Sequence, residues 1–162
     1  MPGRDCPSIG KRADSVSGQD HIIIRSYAYD CPFVKHVTPR EAFEYLAAHP
    51  EALLIDCRSE IEFFYVGHPV GAVHIAWQEA PDWTVNPEFA REVLAEAKGR
   101  GRALFLICRS GKRTLDAGRA LEADGFTNVT NVLHGFEGDL DDKYHRGSRN
   151  GWRHDGLPWE QM

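Results

Sequence analysis

Two short runs without a polar residue constrain this chain more than any other feature. They are Ala52-Leu53-Leu54-Ile55 and Ala103-Leu104-Phe105-Leu106-Ile107. A strand with one wet face alternates polar and apolar residues. An unbroken apolar run of this length instead reads as a strand covered on both faces. Such strands sit in parallel sheets with helices packed above and below.

The sequence between and around these runs supplies the helices. Thr38-Pro39-Arg40-Glu41 is a helix start: Thr38 as N-cap, proline at the first helical position, glutamate at the third. Phe43, Leu46 and Ala47 then follow at helical spacing. Ser59-x-x-Glu62 repeats the capping pattern before Phe63 and Phe64. Asn86 caps a helix running to Lys98, with Pro87 at its first position and Phe89, Val93, Leu94 and Ala97 as its apolar stripe. A further helix runs from Arg113 to Asp124 and is stopped by Gly125. Ala72–Ala76 and Val129–Val132 read as additional strands. Strands alternating with helices imply right-handed crossovers, hence an α/β fold with a mostly parallel sheet covered on both faces.

The chain has 162 residues, enough for one domain with a real core. Residues 1–30 read as an N-terminal extension, partly disordered, because they are polar and broken by Pro2, Gly3, Pro7, Gly10 and Gly18. Only Ile22–Ile24 hints at a strand there. Residues 31–140 form the domain, and residues 141–162 a C-terminal tail packed on it. Trp152 and Trp159 lie in that polar, glycine-rich tail. They are expected to cover apolar surface, the alternative being that one of them lines the entrance of a site.

The net charge of −5 argues against nucleic acid or an anionic membrane as partner, so any anion-binding surface has to be local. No apolar run reaches membrane-spanning length, and the first residues contain no apolar core of a signal peptide. A cytoplasmic, reducing location is the expectation. The four cysteines, Cys6, Cys31, Cys57 and Cys108, form no C-x-x-C pair and have no ligand spacing. Neither a disulfide framework nor a structural zinc site is expected. Three histidines, His134, His145 and His154, are spaced too widely to suggest a metal.

The chemistry points to Cys108. It follows the apolar strand 103–107 directly and leads through Arg109-Ser110-Gly111-Lys112-Arg113 into a helix. In open parallel sheets, ligands bind beyond the carboxyl ends of the strands. A tight loop entering a helix turns backbone N–H groups toward one point, where a thiolate or an anion bonded to it is stabilised. Arg109, Lys112 and Arg113 add positive charge, and Ser110 and Gly111 suit a small-residue turn. A cysteine after a strand is ordinarily a buried small hydrophobe, and a basic loop is ordinarily a solvated surface. Their coincidence at one strand end favours a nucleophile.

The loop Cys108-Arg-Ser-Gly-Lys-Arg113 resembles the six-residue active-site loop of rhodanese domains. Leu54-Ile55-Asp56-Cys57-Arg58, Glu62-Phe63 and Gly67-His68-Pro69-Val70-Gly71-Ala72-Val73-His74-Ile75 are similar to that family's Asp-x-Arg, Glu-Phe and Gly-His-Ile-x-Gly-Ala region. Gly125-Phe126-x-x-Val129 resembles the stretch after its active-site helix. The resemblance spans roughly Val37 to Leu140. It implies a rhodanese-like fold with a central, mostly parallel five-stranded sheet. It also implies a sulfurtransferase, of thiosulfate sulfurtransferase type. Cys108 would take sulfur from a small anionic donor such as thiosulfate, hold it as a persulfide, and pass it to cyanide, a thiol or a sulfur-carrier protein. Arg109, Ser110, Gly111, Lys112 and Arg113 would bind the donor. No metal or organic cofactor is implied.

Some positions depart from the family pattern. The family often has a Gly-Gly pair after the last strand, where this chain has His134-Gly135. Pro69-Val70 reverses the usual order, and Cys57 replaces a usual valine. His134 is read as a packed or surface residue, the alternative being a place near the mouth of the site. Cys57 is read as a core residue, the alternative being a resolving thiol. Asp56 and Arg58 are read as structural groups near the site, with Arg58 pairing Glu62. Two alternatives stand beside catalysis of sulfur transfer. A non-turnover rhodanese module would relay sulfur or bind a protein. A cysteine phosphatase or arsenate reductase would need arginine at the position of Thr114, one residue beyond Arg113.

Overall fold

The computed structural model describes residues 34–162. The proposed extension, the Ile22–Ile24 segment, Cys6 and Cys31 lie outside the described residues. Five strands form the central sheet: β1 (Lys35–Val37), β2 (Leu53–Asp56), β3 (Val73–His74), β4 (Leu104–Ile107) and β5 (Val129–Val132). Their spatial order is β1-β5-β4-β2-β3, and every pairing is parallel. Three helices accompany them: α1 (Pro39–Ala48), α2 (Phe89–Ala97) and α3 (Arg113–Ala123).

The two apolar runs are the middle of this sheet. β2 and β4 lie side by side, with Leu54 opposite Phe105 and Asp56 opposite Ile107. Side chains alternate across the sheet with a period of two. Ile55, Leu104, Leu106 and Val129 face α2 and α3, where they meet Phe89, Val93, Ala97, Ala117 and Leu121. Leu54, Phe105, Ile107 and Val132 face α1 and meet Ala42, Phe43 and Leu46. Both faces are apolar because both are covered.

Helix starts follow their caps with one displacement. At α1 the Thr38 hydroxyl accepts from the Glu41 amide, and the Glu41 carboxylate accepts from the Thr38 amide. Asn86 does not take the N-cap position of α2, which falls on Glu88; its Oδ1 accepts from the Glu88 amide at 2.9 Å in the turn just before the helix. Regular helix begins at Phe89 rather than Pro87. The expected helix after Ser59 is one wide π-helical turn, Glu62–Val66. Gly67, at φ 96°, ends it, and the Phe63 ring stacks on His68 at 3.7 Å.

Two short antiparallel ribbons complete the structure: His68–Pro69 with Trp159–Glu160, and Gln78–Glu79 with Thr84–Val85. Trp152 is 2% exposed and packs edge-on against Phe43 in the α1-side core, its indole N–H donating to Pro158 O at 2.9 Å. It therefore lines no entrance. Trp159 is partly exposed and lies against Gly67 and Phe136. Among the described residues no helix is long and apolar enough to cross a membrane.

Candidate active site

The parallel pairing of β2 and β4 brings two strand ends to one edge. Asp56, Cys57 and Arg58 emerge from β2, and Cys108 emerges beside them from β4. The Cys57 amide donates to Ile107 O at 2.8 Å, so the two exits are tied by backbone. From Cys108 the chain turns through the loop and enters α3 at Arg113.

Cys108 lies at the floor of this loop, 1% exposed. The Gly111 amide donates to its sulfur at 3.2 Å. The Thr114 hydroxyl, in the first turn of α3, lies 3.6 Å from the same atom. Gly111 reaches this position with φ 80°, a conformation that disfavours a side chain. The loop is held from behind by the turn after β5. Phe136 N donates to Cys108 O at 2.7 Å, and Glu137 N to Arg109 O at 2.9 Å. His134 and Gly135 make that turn, both left-handed at φ 62° and 60°. His134 thus stands where a glycine would carry no strain, with its ring against Asp139 and Asn150.

The three cations of the loop do not share one fate. Arg109 and Lys112 are exposed; the charge of Arg109 acts on Glu137 and that of Lys112 on Asp139. Arg113 turns inward and grips Glu62 in a two-pronged pair, 2.6 and 2.7 Å. Its guanidinium also sits 5.6 Å from the centre of the Trp83 ring. The family resemblance groups Arg113 with the donor-binding cations, and sequence spacing pairs Arg58 with Glu62. In the fold Glu62 belongs to Arg113. The reason is reach across the sheet: Glu62 is carried by the turn after β2, directly facing the start of α3.

Burial opposes ionisation of Glu62, but the hydrogen bonds and charge of Arg113, helped by Ser59, outweigh it and hold its carboxyl at about 2. Burial likewise opposes the charge on Arg113, and Glu62 more than compensates, raising it. The sign of the consequence is definite. A carboxyl depressed from 4.5 to about 2 stabilises the fold fully above 4.5 and loses that contribution as pH falls toward 2. The contribution is up to about 3 kcal/mol. Urea titrations should therefore show the stability gap between wild type and Glu62→Gln narrowing from pH 6 to pH 3. A gap that stays constant over that range would contradict the pairing.

Arg58 has a different partner from the one its spacing suggested. It is fully buried, and its guanidinium Nε and Nη2 donate to both oxygens of Asp56, Nη2 at 2.6 Å. Nη2 also donates to Gly67 O at 2.6 Å. The guanidinium carbon lies 4.3 Å from the centre of the Phe136 ring, so Arg58 supports the residue whose amide holds Cys108. Cys57 is fully buried, and its thiol lies 3.8 Å from Ile55 O. Burial, then the neighbouring Cys108 and Asp56, push that thiol far up, so it stays protonated. The three histidines go separate ways, His134 to Asp139, His145 to Asp141 and His154 to Asp155. Sequence reasoning did not single out Gly135 as a spacer, Asn131 or His36. The Gly-Gly position at 134–135 was the one available signal.

Comparison with known proteins gives a consistent family. Residues 38–141 match the model of the rhodanese-like domain. The crystal structure of Rv0390 from M. tuberculosis superposes with a TM-score of 0.71 at 37% identity, over 80% of this chain and 99% of that one. An uncharacterized protein of Rickettsia conorii is 29% identical over 133 residues, 78% of this chain and 98% of its own length. The thiosulfate sulfurtransferase GlpE of Haemophilus influenzae is 27% identical over 107 residues, 66% of this chain and 88% of its own.

Proposed function

Since the chain belongs to the rhodanese-like domain family, we propose that it is a sulfurtransferase that carries sulfane sulfur on Cys108, with thiosulfate or a related anion as donor. The observation that carries this reading is the Gly111 amide aimed at the Cys108 sulfur in a loop flanked by the exposed cations Arg109 and Lys112.

In the first step the Cys108 thiolate attacks the outer sulfur of thiosulfate. The S–S bond of the donor breaks, its electron pair leaves with sulfite, and a persulfide remains on Cys108. In the second step a cyanide or a thiolate attacks the terminal sulfur, and the Cys108 thiolate is released. Splitting the transfer in two is nucleophilic catalysis, and it balances without a cofactor. Arg109 and Lys112 offset the charge of the donor and of the departing sulfite. Ser110 and Gly111 keep the loop small enough for the terminal sulfur. Arg113, already neutralised by Glu62, acts as a positioning residue that fixes the start of α3. The acceptor in the cell is a thiol, free or on a carrier protein, and the expected location is cytoplasmic.

A phosphatase reading lacks its clamp. The position that needs a bidentate arginine holds Thr114, fully buried and hydrogen-bonded to Asn131 at 2.6 Å.

Intact-mass measurement tests the proposal directly. After thiosulfate the protein should gain about 32 Da, one sulfur atom, on a peptide containing Cys108. Cyanide should remove it, and Cys108→Ser should never acquire it. Full thiosulfate:cyanide activity in Cys108→Ser would refute the assignment.

A further inference from the structure

Behind the Cys108 sulfur a line of polar groups runs out to the edge of the sheet. Thr114 Oγ1 is 3.6 Å from the sulfur, Asn131 Oδ1 is 2.6 Å from Thr114 Oγ1, and Asn131 Nδ2 is 3.1 Å from His36 Nδ1. Thr114 and Asn131 are 0% and 1% exposed. His36 and Asn131 are cross-strand partners in β1 and β5, so the sheet register itself aligns them. We propose that Asn131 and His36 are positioning residues that set which way the Thr114 hydroxyl faces Cys108, and so whether its sulfur is held as thiol or as thiolate. The inference rests on Cys108 being the nucleophile proposed above.

A hydroxyl has a single proton. When Asn131 Nδ2 donates to His36 Nδ1, Asn131 Oδ1 faces Thr114 and takes that proton. Thr114 then offers the sulfur a lone pair, which suits a thiol S–H and opposes a thiolate. The line also runs in the opposite direction. His36 Nδ1–H donates to the asparagine oxygen, the amide nitrogen donates to Thr114 Oγ1, and the hydroxyl proton points at the sulfur. The oxygen and nitrogen of an amide are nearly interchangeable in shape, so turning the group over keeps every heavy-atom position.

Protons balance between the two directions. Cys108 releases one proton to solvent, and a neutral imidazole presents Nδ1 to Asn131 as acceptor in the first direction and as N–H donor in the second. Burial pushes His36 below its ordinary value, a direction that favours the neutral ring. Cys57 at the end of β2 and Arg113 at the head of α3 also act on the sulfur, with Asp56 and Glu62 behind them. None of these groups is altered by the variants that test the relay.

The test is the rate at which iodoacetamide alkylates Cys108 in the full chain, followed by peptide mass across pH. A hydrogen bond to a charged group sets the scale. Thr114→Val should react about tenfold more slowly at pH 7, and Thr114→Ser should restore the wild-type rate. Asn131→Asp places a carboxylate that accepts from both neighbours and locks Thr114 away from the thiolate. It should slow alkylation as much as Thr114→Val, with the profile displaced to higher pH. Wild-type alkylation in a folded Asn131→Asp protein would overturn the proposal. A second measurement needs no substitution in the relay. Nitrogen NMR of the histidine rings should show His36 Nδ1 gaining its proton as Cys108 ionises, and not in Cys108→Ser. A His36 ring that stays unchanged through that interval would also overturn it. Alkylation requires no sulfur transfer, so a relay that responds in a protein unable to form the persulfide would refute the proposed activity and leave the relay standing.

Discussion

Gly135→Ala is expected to lower sulfur-transfer activity by at least about 100-fold while leaving Cys108 chemically intact. A Cβ at this position would drive into Cys108 O, and would also sit 2.7 Å from the Arg109 carbonyl carbon and 2.8 Å from Ser110 N. All three are backbone atoms of the loop, so no side chain can rotate out of the way. The residue is also left-handed at φ 60°, which adds about 1 kcal/mol for any side chain. The chain can relieve the overlap only by moving the loop away from the turn after β5. That breaks the hydrogen bonds from Phe136 N to Cys108 O and from Glu137 N to Arg109 O. Displacement of a reacting group by about 1 Å costs on the order of 100-fold in rate. The measurement is thiosulfate:cyanide turnover together with a thermal melt. Stability should fall by about 2–4 kcal/mol, with most of the domain still folded. Near-normal turnover in Gly135→Ala would mean that the position of the loop does not govern reactivity.

Asp56→Ala is expected to destabilise the protein by about 3–5 kcal/mol, the usual cost of leaving one member of a buried ion pair alone. Asp56 and Arg58 are both fully buried, and the guanidinium meets both carboxylate oxygens. Removing the carboxylate leaves the buried guanidinium under Phe136, on the side of the sheet that supports the Cys108 loop, with only one long ionic contact among the described residues, to Glu137 at 3.9 Å. The check is the urea midpoint of Asp56→Ala against the double variant Asp56→Leu/Arg58→Met. Replacing both charges with apolar groups should recover most of the loss, because the penalty lies in the unpaired charge rather than in the missing attraction. If the single and double variants are equally unstable, the pair matters through shape and not through charge. Turnover of the double variant would then report how far Arg58 braces the loop.

Gly135 and the Asp56–Arg58 pair differ in how visible they are from sequence. Asp56 and Arg58 stand out as a charged motif after an apolar strand, yet their spacing suggested the wrong partner. Two residues apart along a chain leaving a strand, they meet because the Asp56 carboxylate accepts from the Arg58 amide at 3.0 Å and from the Arg58 guanidinium, a local contact made where the chain bends out of the sheet. Gly135 is marked in sequence only by the family's Gly-Gly position, because nothing local says that another segment will pass within contact of it.

Local chemistry was enough to place four of the five strands of the central sheet, the helices α1 to α3, and Cys108 between a strand end and a helix start; β1 was not legible. Unbroken apolar runs have no stable place except between two layers of helices. Proline, threonine and glutamate at a helix start act through the nearest backbone groups. A cysteine at a strand exit, followed by small and basic residues, is recognisable from its own loop, although the turn after β5 is what holds that loop in place. What tertiary structure alone decided was the pairing of charges and polar groups across elements: Arg113 with Glu62, Thr114 with Asn131, and Asn131 with His36. Each joins residues from segments distant in the chain. Their meeting follows from the order β1-β5-β4-β2-β3, set by packing of the whole sheet rather than by any short stretch of sequence.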